Sequence, residues 1–176
     1  MSRPILQAGD PILRGKSKKV KMFGPPVAAL VGDMLDSMNA ADGLGLAAPQ
    51  IGVPLRVIVI QMPGEVDEEG QEISPGELYT YCNPQIVEAG GEEEDQEGCL
   101  SVVGYVGQVK RATSVTVKGE DVTGRKIRTK AKGLLARAFQ HEIDHLDGIL
   151  FIDRIDSPEK LRRIGRDDEE QDNYPA

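Results

Sequence analysis

The only two histidines of this chain, His141 and His145, stand four residues apart in Gln140-His141-Glu142-Ile143-Asp144-His145. On a helix, residues i and i+4 share a face, about 6 Å apart along the axis. Two imidazoles so placed can hold one divalent metal ion, with Glu142 beside it to move protons. The competing reading is plain: two histidines on an ordinary amphipathic helix. A third ligand decides between them.

The zinc-protease completions can be tested by counting. The extended motif His-Glu-x-x-His-x-x-Gly-x-x-His needs histidine at position 151; Gly148 is in register, but the residue there is Phe151. A downstream glutamate is the other common completion, and the nearest, Glu159, follows Ser157-Pro158 in a polar segment. A better ligand lies upstream, in Glu97-Gly98-Cys99-Leu100-Ser101. Thiolate binds divalent first-row metals strongly, and Cys/His/His leaves a fourth position for water or substrate. The competing reading of Cys99 is a buried, inert thiol.

Several elements must position these groups. The helix that carries both histidines should run from about Gly133 to Leu146, with Leu134, Leu135, Ala138, Ile143 and Leu146 as apolar content and Gly148 as its stop. A second helix is expected over Pro25 to Ala41, where Val27, Leu30, Val31, Met34, Leu35 and Met38 recur at helical spacing. Leu55 to Ile60 reads as a buried strand. Pro63 to Gly76 and Gly90 to Glu97 read as acidic loops, and Leu78 to Val87 as extended chain. Val109 to Val117 alternates like one strand, and Asp121 to Arg125 turns it into a return strand, Lys126 to Lys130. The expected fold class is α+β: short, mostly antiparallel sheets packed around a central helix carrying the His-Glu-x-x-His motif. Residues 1–156 form the expected catalytic domain. Residues 157–176 are a polar C-terminal extension whose end, 167–176, reads as disordered.

With 176 residues the chain suits one domain, and its 39% hydrophobic and 28% charged content is ordinary for a soluble protein. A net charge of -8 disfavours broad binding to DNA or anionic membranes. No apolar run approaches the roughly 20 residues of a membrane span. The N-terminus lacks a secretory or transit pattern, so a cytoplasmic location is expected. Two cysteines, Cys82 and Cys99, make no secreted disulfide framework.

Three segments together resemble the signature motifs of the peptide deformylases. They are Gly43-Leu44-Gly45-Leu46-Ala47-Ala48-Pro49-Gln50, Glu97-Gly98-Cys99-Leu100-Ser101 and Gln140-His141-Glu142-Ile143-Asp144-His145, in the family's order and at similar spacing. The flanks Pro4-Ile5-Leu6, Asp10-Pro11-Ile12-Leu13-Arg14 and Gly148-Ile149-Leu150-Phe151-Ile152-Asp153 agree, so the likeness spans about residues 4 to 156. It implies that Cys99, His141 and His145 bind the metal and that Glu142 acts as general base, then acid. It implies that the Gln50 amide and the Leu100 N–H polarise a formyl oxygen, and that Gly45 lets the bound peptide run as an extra strand. The substrate is then the N-formyl-methionyl end of a nascent chain. The implied metal is Fe²⁺, with Zn²⁺, Ni²⁺ or Co²⁺ able to substitute. Leu44, Leu134 and Ala138 are candidates for the methionine pocket, core packing being the competing reading. Asp144 reads either as a carboxylate that orients an imidazole or as a solvated helix acid. One departure stands out: Val103 occupies a position where the family often has proline.

The alternatives are a zinc endopeptidase of the His-Glu-x-x-His type and a non-catalytic module with a structural metal. The second would normally need four protein ligands. A basic cluster near the end, Lys160 to Arg166, is either a solvated helix end or a weak ribosome contact.

Overall fold

The β-branched run over Val57–Gln61 becomes a strand with both faces covered. In the computed structural model, which describes residues 1–164, the elements in chain order are α1 (Pro25–Ala40), β1 (Gly45–Ala47), β2 (Val57–Gln61), β3 (Glu65–Val66), β4 (Glu72–Ser74), β5 (Leu78–Gly90), β6 (Glu93–Gly98), β7 (Tyr105–Arg111), β8 (Ser114–Glu120), β9 (Lys126–Lys132), α2 (Gly133–Leu146) and β10 (Leu161–Arg163). The tail 167–176, read above as disordered, lies outside the described residues.

Side chains alternate along β2, as strand geometry requires. Val57 and Val59 join the α1 residues Val27, Leu30, Met34 and Met38, whereas Ile58 and Ile60 join Ala136, Phe139, Ile143 and Leu146 of α2. The five-stranded antiparallel sheet β1-β2-β5-β8-β9 therefore lies between the two helices. A three-stranded antiparallel sheet, β10-β7-β6, closes over the polar side of α2. The α+β class holds, with α2 central and enclosed by two sheets.

Two elements differ from expectation. Glu93–Gly98, in the acidic stretch read as a loop, is strand β6, paired with β7 from Glu93↔Arg111 to Gly98↔Val106. Glu93, Glu94 and Asp95 stay exposed while Glu97 is buried, so composition pointed to a loop and the partner strand overrode it. The alternating run Val109 to Val117 is two strands in different sheets. The chain crosses from β7 to β8 at Ala112, whose N–H and carbonyl are both taken by the Gln140 side chain, at 3.0 and 2.9 Å. Alternation persists across that junction, so periodicity could not reveal it. The Pro63 to Gly76 loop contains the small β3–β4 ladder, and β10 pairs with β7 beyond residue 156.

The C-terminal stop of α2 is as expected. Gly148 has φ +76°, and an added Cβ would collide with the Arg14 carbonyl, so glycine is required there. Arg56 caps the helix end by donating to the Leu146 carbonyl at 3.1 Å and to Asp147 at 2.9 Å.

Candidate metal centre

Cys99 enters the site immediately after β6 ends, and His141 and His145 come from α2. One ligand atom from each falls within 4.8 Å of the others. Cys99 Sγ is 3.3 Å from His145 Nε2, and the imidazole centroids are 5.1 Å apart. The ring of Phe151, where the extended protease motif would need histidine, stacks on His141 at 6.4 Å. Position 151 supplies packing, not a ligand.

The donor set fits a divalent metal. A thiolate and two imidazoles suit first-row ions and leave room for a fourth ligand. Electrostatics agree. Burial alone would push the His141 imidazole down, but hydrogen bonds with Cys99 and Glu97 and the nearby Glu142 hold it well above its ordinary pKa. Burial, then repulsion from His141, keeps His145 well below. Cys99, Glu97 and Glu142 thus favour positive charge at His141.

Glu97 Oε1 lies 2.8 Å from His141 Nδ1, which turns Nε2 toward the cluster. Arg111 forks Glu97, with Nε to Oε2 at 2.9 Å and Nη2 to Oε1 at 3.0 Å, and reaches Asp144 with Nη1 at 2.6 Å. Burial would raise the Glu97 carboxyl, yet the hydrogen bonds from His141 and Arg111 hold it far below the usual carboxylate range. Asp144 neither orients an imidazole nor stands in solvent, being 8% exposed. It instead binds Arg111 and Arg154, one step behind Glu97. The helix turns residue 144 toward β7, and Glu97 arrives from that sheet with better access to the ring. Glu97 stood in the cysteine motif but carried no signal of its role; Arg111, fourteen residues on, had none at all.

Glu142 is buried, and its Oε2 has no hydrogen-bond partner. Burial pushes its carboxyl up to about 7, suited to exchanging protons near neutrality. Its carboxylate presses on β1: a Cβ on Gly45 would stand 2.7 Å from Glu142 Oε1. Glycine at 45 therefore makes room for the glutamate, a reason that spacing alone did not show. β1 is the last strand of its sheet.

Gln50 is 1% exposed, and its side chain caps the backbone N–H of Ala47. Its Oε1 accepts from the Ala47 N–H at 2.9 Å, so Nε2 faces Ser101 Oγ at 3.0 Å and Cys99 Sγ at 3.8 Å. Leu100 is held by Gln7, whose Nε2 donates to the Leu100 carbonyl at 2.9 Å. The Val103 N–H donates to Gln7 Oε1 at 3.4 Å, a contact proline cannot make. Leu44 packs against the apolar cluster that contains Ala138, whereas Leu134 is 48% exposed and lies outside it. A groove of about 470 Å³ adjoins Leu44 and runs past Asp42, Gln61 and Glu72. Cys82 is fully buried in the α1 core, and burial pushes its thiol up to about 11.

Residues 2–161 match the family described as polypeptide deformylase. A peptide deformylase of Thermomicrobium roseum is 49% identical over 168 residues, 96% of this chain and 94% of that protein. The crystal structure of a peptide deformylase from Legionella pneumophila superposes with a TM-score of 0.79 at 45% identity, covering 91% of this chain and 89% of that one. A Met-Ala-Ser-bound class I type b peptide deformylase from Acinetobacter baumannii gives 0.79 at 33% identity, covering 88% and 99%.

Proposed function

The chain belongs to the peptide deformylase family, and from that premise we propose how its residues divide the work. The reaction is metal-dependent removal of the formyl group from the N-terminal formyl-methionine of new polypeptides, releasing formate. The observation that carries the assignment of residues is the convergence of Cys99, His141 and His145 beside a buried carboxylate with a partnerless oxygen.

Cys99, His141 and His145 would hold the ion. A divalent metal supplies Lewis acidity, which makes water nucleophilic near neutral pH and polarises the carbonyl. Glu142 takes the proton of the attacking water and delivers it to the departing amine nitrogen. The Gln50 amide, fixed at its other end by Ala47, and the Leu100 N–H donate to the formyl oxygen as it gains charge. By analogy with other oxyanion holes, each donor contributes about 3 kcal/mol. Gly45, on edge strand β1, leaves the strand open to pair with the peptide. Leu44, Ala138 and Leu134 receive the methionine side chain.

Thiolate ligation and family membership favour Fe²⁺ as the native ion, with Ni²⁺, Co²⁺ or Zn²⁺ as substitutes. The place of work is the cytoplasm, where formylated chains are made; no helix among the described residues is long and apolar enough to cross a membrane. A weak ribosome contact through Lys160 to Arg166 completes the proposal. Lys160 is engaged with Glu94 and Asp156, Arg163 lies on exposed β10, and Arg166 lies outside the described residues. Removing all residues after Asp156 would strip β10 from its sheet, so charge reversal at Arg163 and Arg166 is the cleaner test. Reduced, salt-dependent cosedimentation with ribosomes supports the contact, and unchanged binding rejects it.

The enzymatic roles are tested with metal-loaded protein on formyl-Met-Ala-Ser, following formate, with casein as the endopeptidase control. Formate release without casein cleavage is expected. Casein cleavage without formate release would overturn the assignment.

A further inference from the structure

Arg137 stands one turn before His141 on α2 and has no part in the chemistry above. Its side chain is only 11% exposed, although arginine is long enough to reach water from most helix positions. Nη1 donates to Glu97 Oε2 at 2.7 Å and to the Val109 carbonyl at 2.9 Å, and Nη2 donates to the Glu93 carbonyl at 2.9 Å. One guanidinium thus ties α2 to two residues of β6 and one of β7. These are the elements that carry the ligands: α2 bears both histidines, and β6 leads directly into Cys99.

Charge balance does not require this contact, because Arg111 already forks Glu97. Geometry does. With Arg111, Arg137 and His141 in place, each Glu97 oxygen meets two nitrogen partners, which fills the acceptor capacity of a carboxylate. Without Arg137, Oε2 keeps one donor, and the direct side-chain bond left between β6 and α2 is that of Glu97 to His141. Lysine has one donor centre and no planar fork, so it cannot meet three acceptors on two strands in this way.

We infer that Arg137 is a positioning residue of the metal centre: it locks Glu97 onto His141 and sets the spacing between the strand that delivers Cys99 and the helix that delivers the histidines. This rests on Cys99, His141 and His145 being the ligands.

The test uses apoprotein loaded with Co²⁺, whose thiolate charge-transfer band reports the Cys99 bond, with affinity read by chelator competition. Wild type is expected to show the band. Arg137→Gln should lose about tenfold in affinity, the lower end of the range for groups that orient ligands, and shift the band. Arg137→Lys should recover part of the loss. In a Glu97→Gln background the Arg137→Gln penalty should shrink, since the two act together. Absence of the band in wild type overturns the ligand assignment itself. If wild type shows it, affinity within twofold and an unchanged band in Arg137→Gln overturn the positioning role, as does a penalty that adds fully to that of Glu97→Gln. If circular dichroism shows both Arg137 variants unfolded at the assay temperature, the residue serves the fold and the inference fails.

Discussion

Glu97 Oε1 sits 2.8 Å from His141 Nδ1, and this bond sets the imidazole whose other nitrogen faces Cys99 and His145. Glu97→Gln should weaken metal binding by about 10–100-fold, the usual cost of losing a carboxylate behind a ligating histidine. Glu97→Ala should also lose about 3–5 kcal/mol of stability, because Arg111 is left buried without its main partner. Chelator competition and urea unfolding measure the two effects. Unaltered affinity in Glu97→Gln would sink the role assigned to this contact.

The same residue sets a pH dependence. Its carboxyl is held far below the usual range in the folded protein, so its stabilisation is present above its unfolded pKa, about 4.3. That contribution fades as pH falls through the unfolded value toward the depressed folded one. Metal-free wild type should therefore lose stability between about pH 5 and pH 3 more steeply than Glu97→Gln. Parallel stability curves over that range would contradict this.

Glu142 has the opposite sign. Burial raises its folded pKa to about 7, so in the metal-free protein its ionised form disfavours folding as pH climbs from the unfolded value through 7. Metal-free Glu142→Gln should exceed wild type in stability at pH 8, by on the order of 1–3 kcal/mol, with the gap closing near pH 5. The metal-loaded variant should keep its ion and lose about 10²–10⁴-fold in formate release. Full hydrolytic activity with metal retained would remove Glu142 from the proton path.

Gly45→Ala tests the packing of β1 on that carboxylate. A methyl 2.7 Å from Glu142 Oε1 forces one of them to move. The expected cost is about 1–3 kcal/mol of stability and at least tenfold in activity, with metal content unchanged. Wild-type turnover in the folded variant would show that the carboxylate yields without consequence.

The two thiols should behave differently. Cys82 is fully buried with its thiol pushed up to about 11, whereas Cys99 is partly exposed. At pH 8 a thiol reagent should modify one cysteine in native metal-free protein, none rapidly in the metal-loaded form, and both after unfolding. Mass spectrometry counts the additions; two fast additions in the native protein would be inconsistent with the buried site.

An Fe²⁺–thiolate centre open to solvent is exposed to oxidation at iron and sulfur. The iron-loaded protein should lose activity in air much faster than the nickel-loaded form. Equal half-lives in a side-by-side assay would count against iron lability.

Much was legible in the residues because it is local. Spacing of four between His141 and His145 puts both on one helix face; apolar periodicity marked α1 and α2, and Gly148 marked where α2 stops. Chain order brought Cys99 and Gln50 into consideration through their motifs. What the sequence could not settle are relationships made between strands. An acidic stretch became β6 because β7 paired with it, and one alternating run became two strands in two sheets. Glu97 displaced Asp144 as the partner of His141, and Arg111 and Arg137 converged on Glu97 from different elements. Gly45 proved to be glycine for the sake of Glu142, 97 positions away. Local propensity and spacing are properties of the chain, whereas the acceptors around a buried carboxylate exist only once two sheets close on one helix.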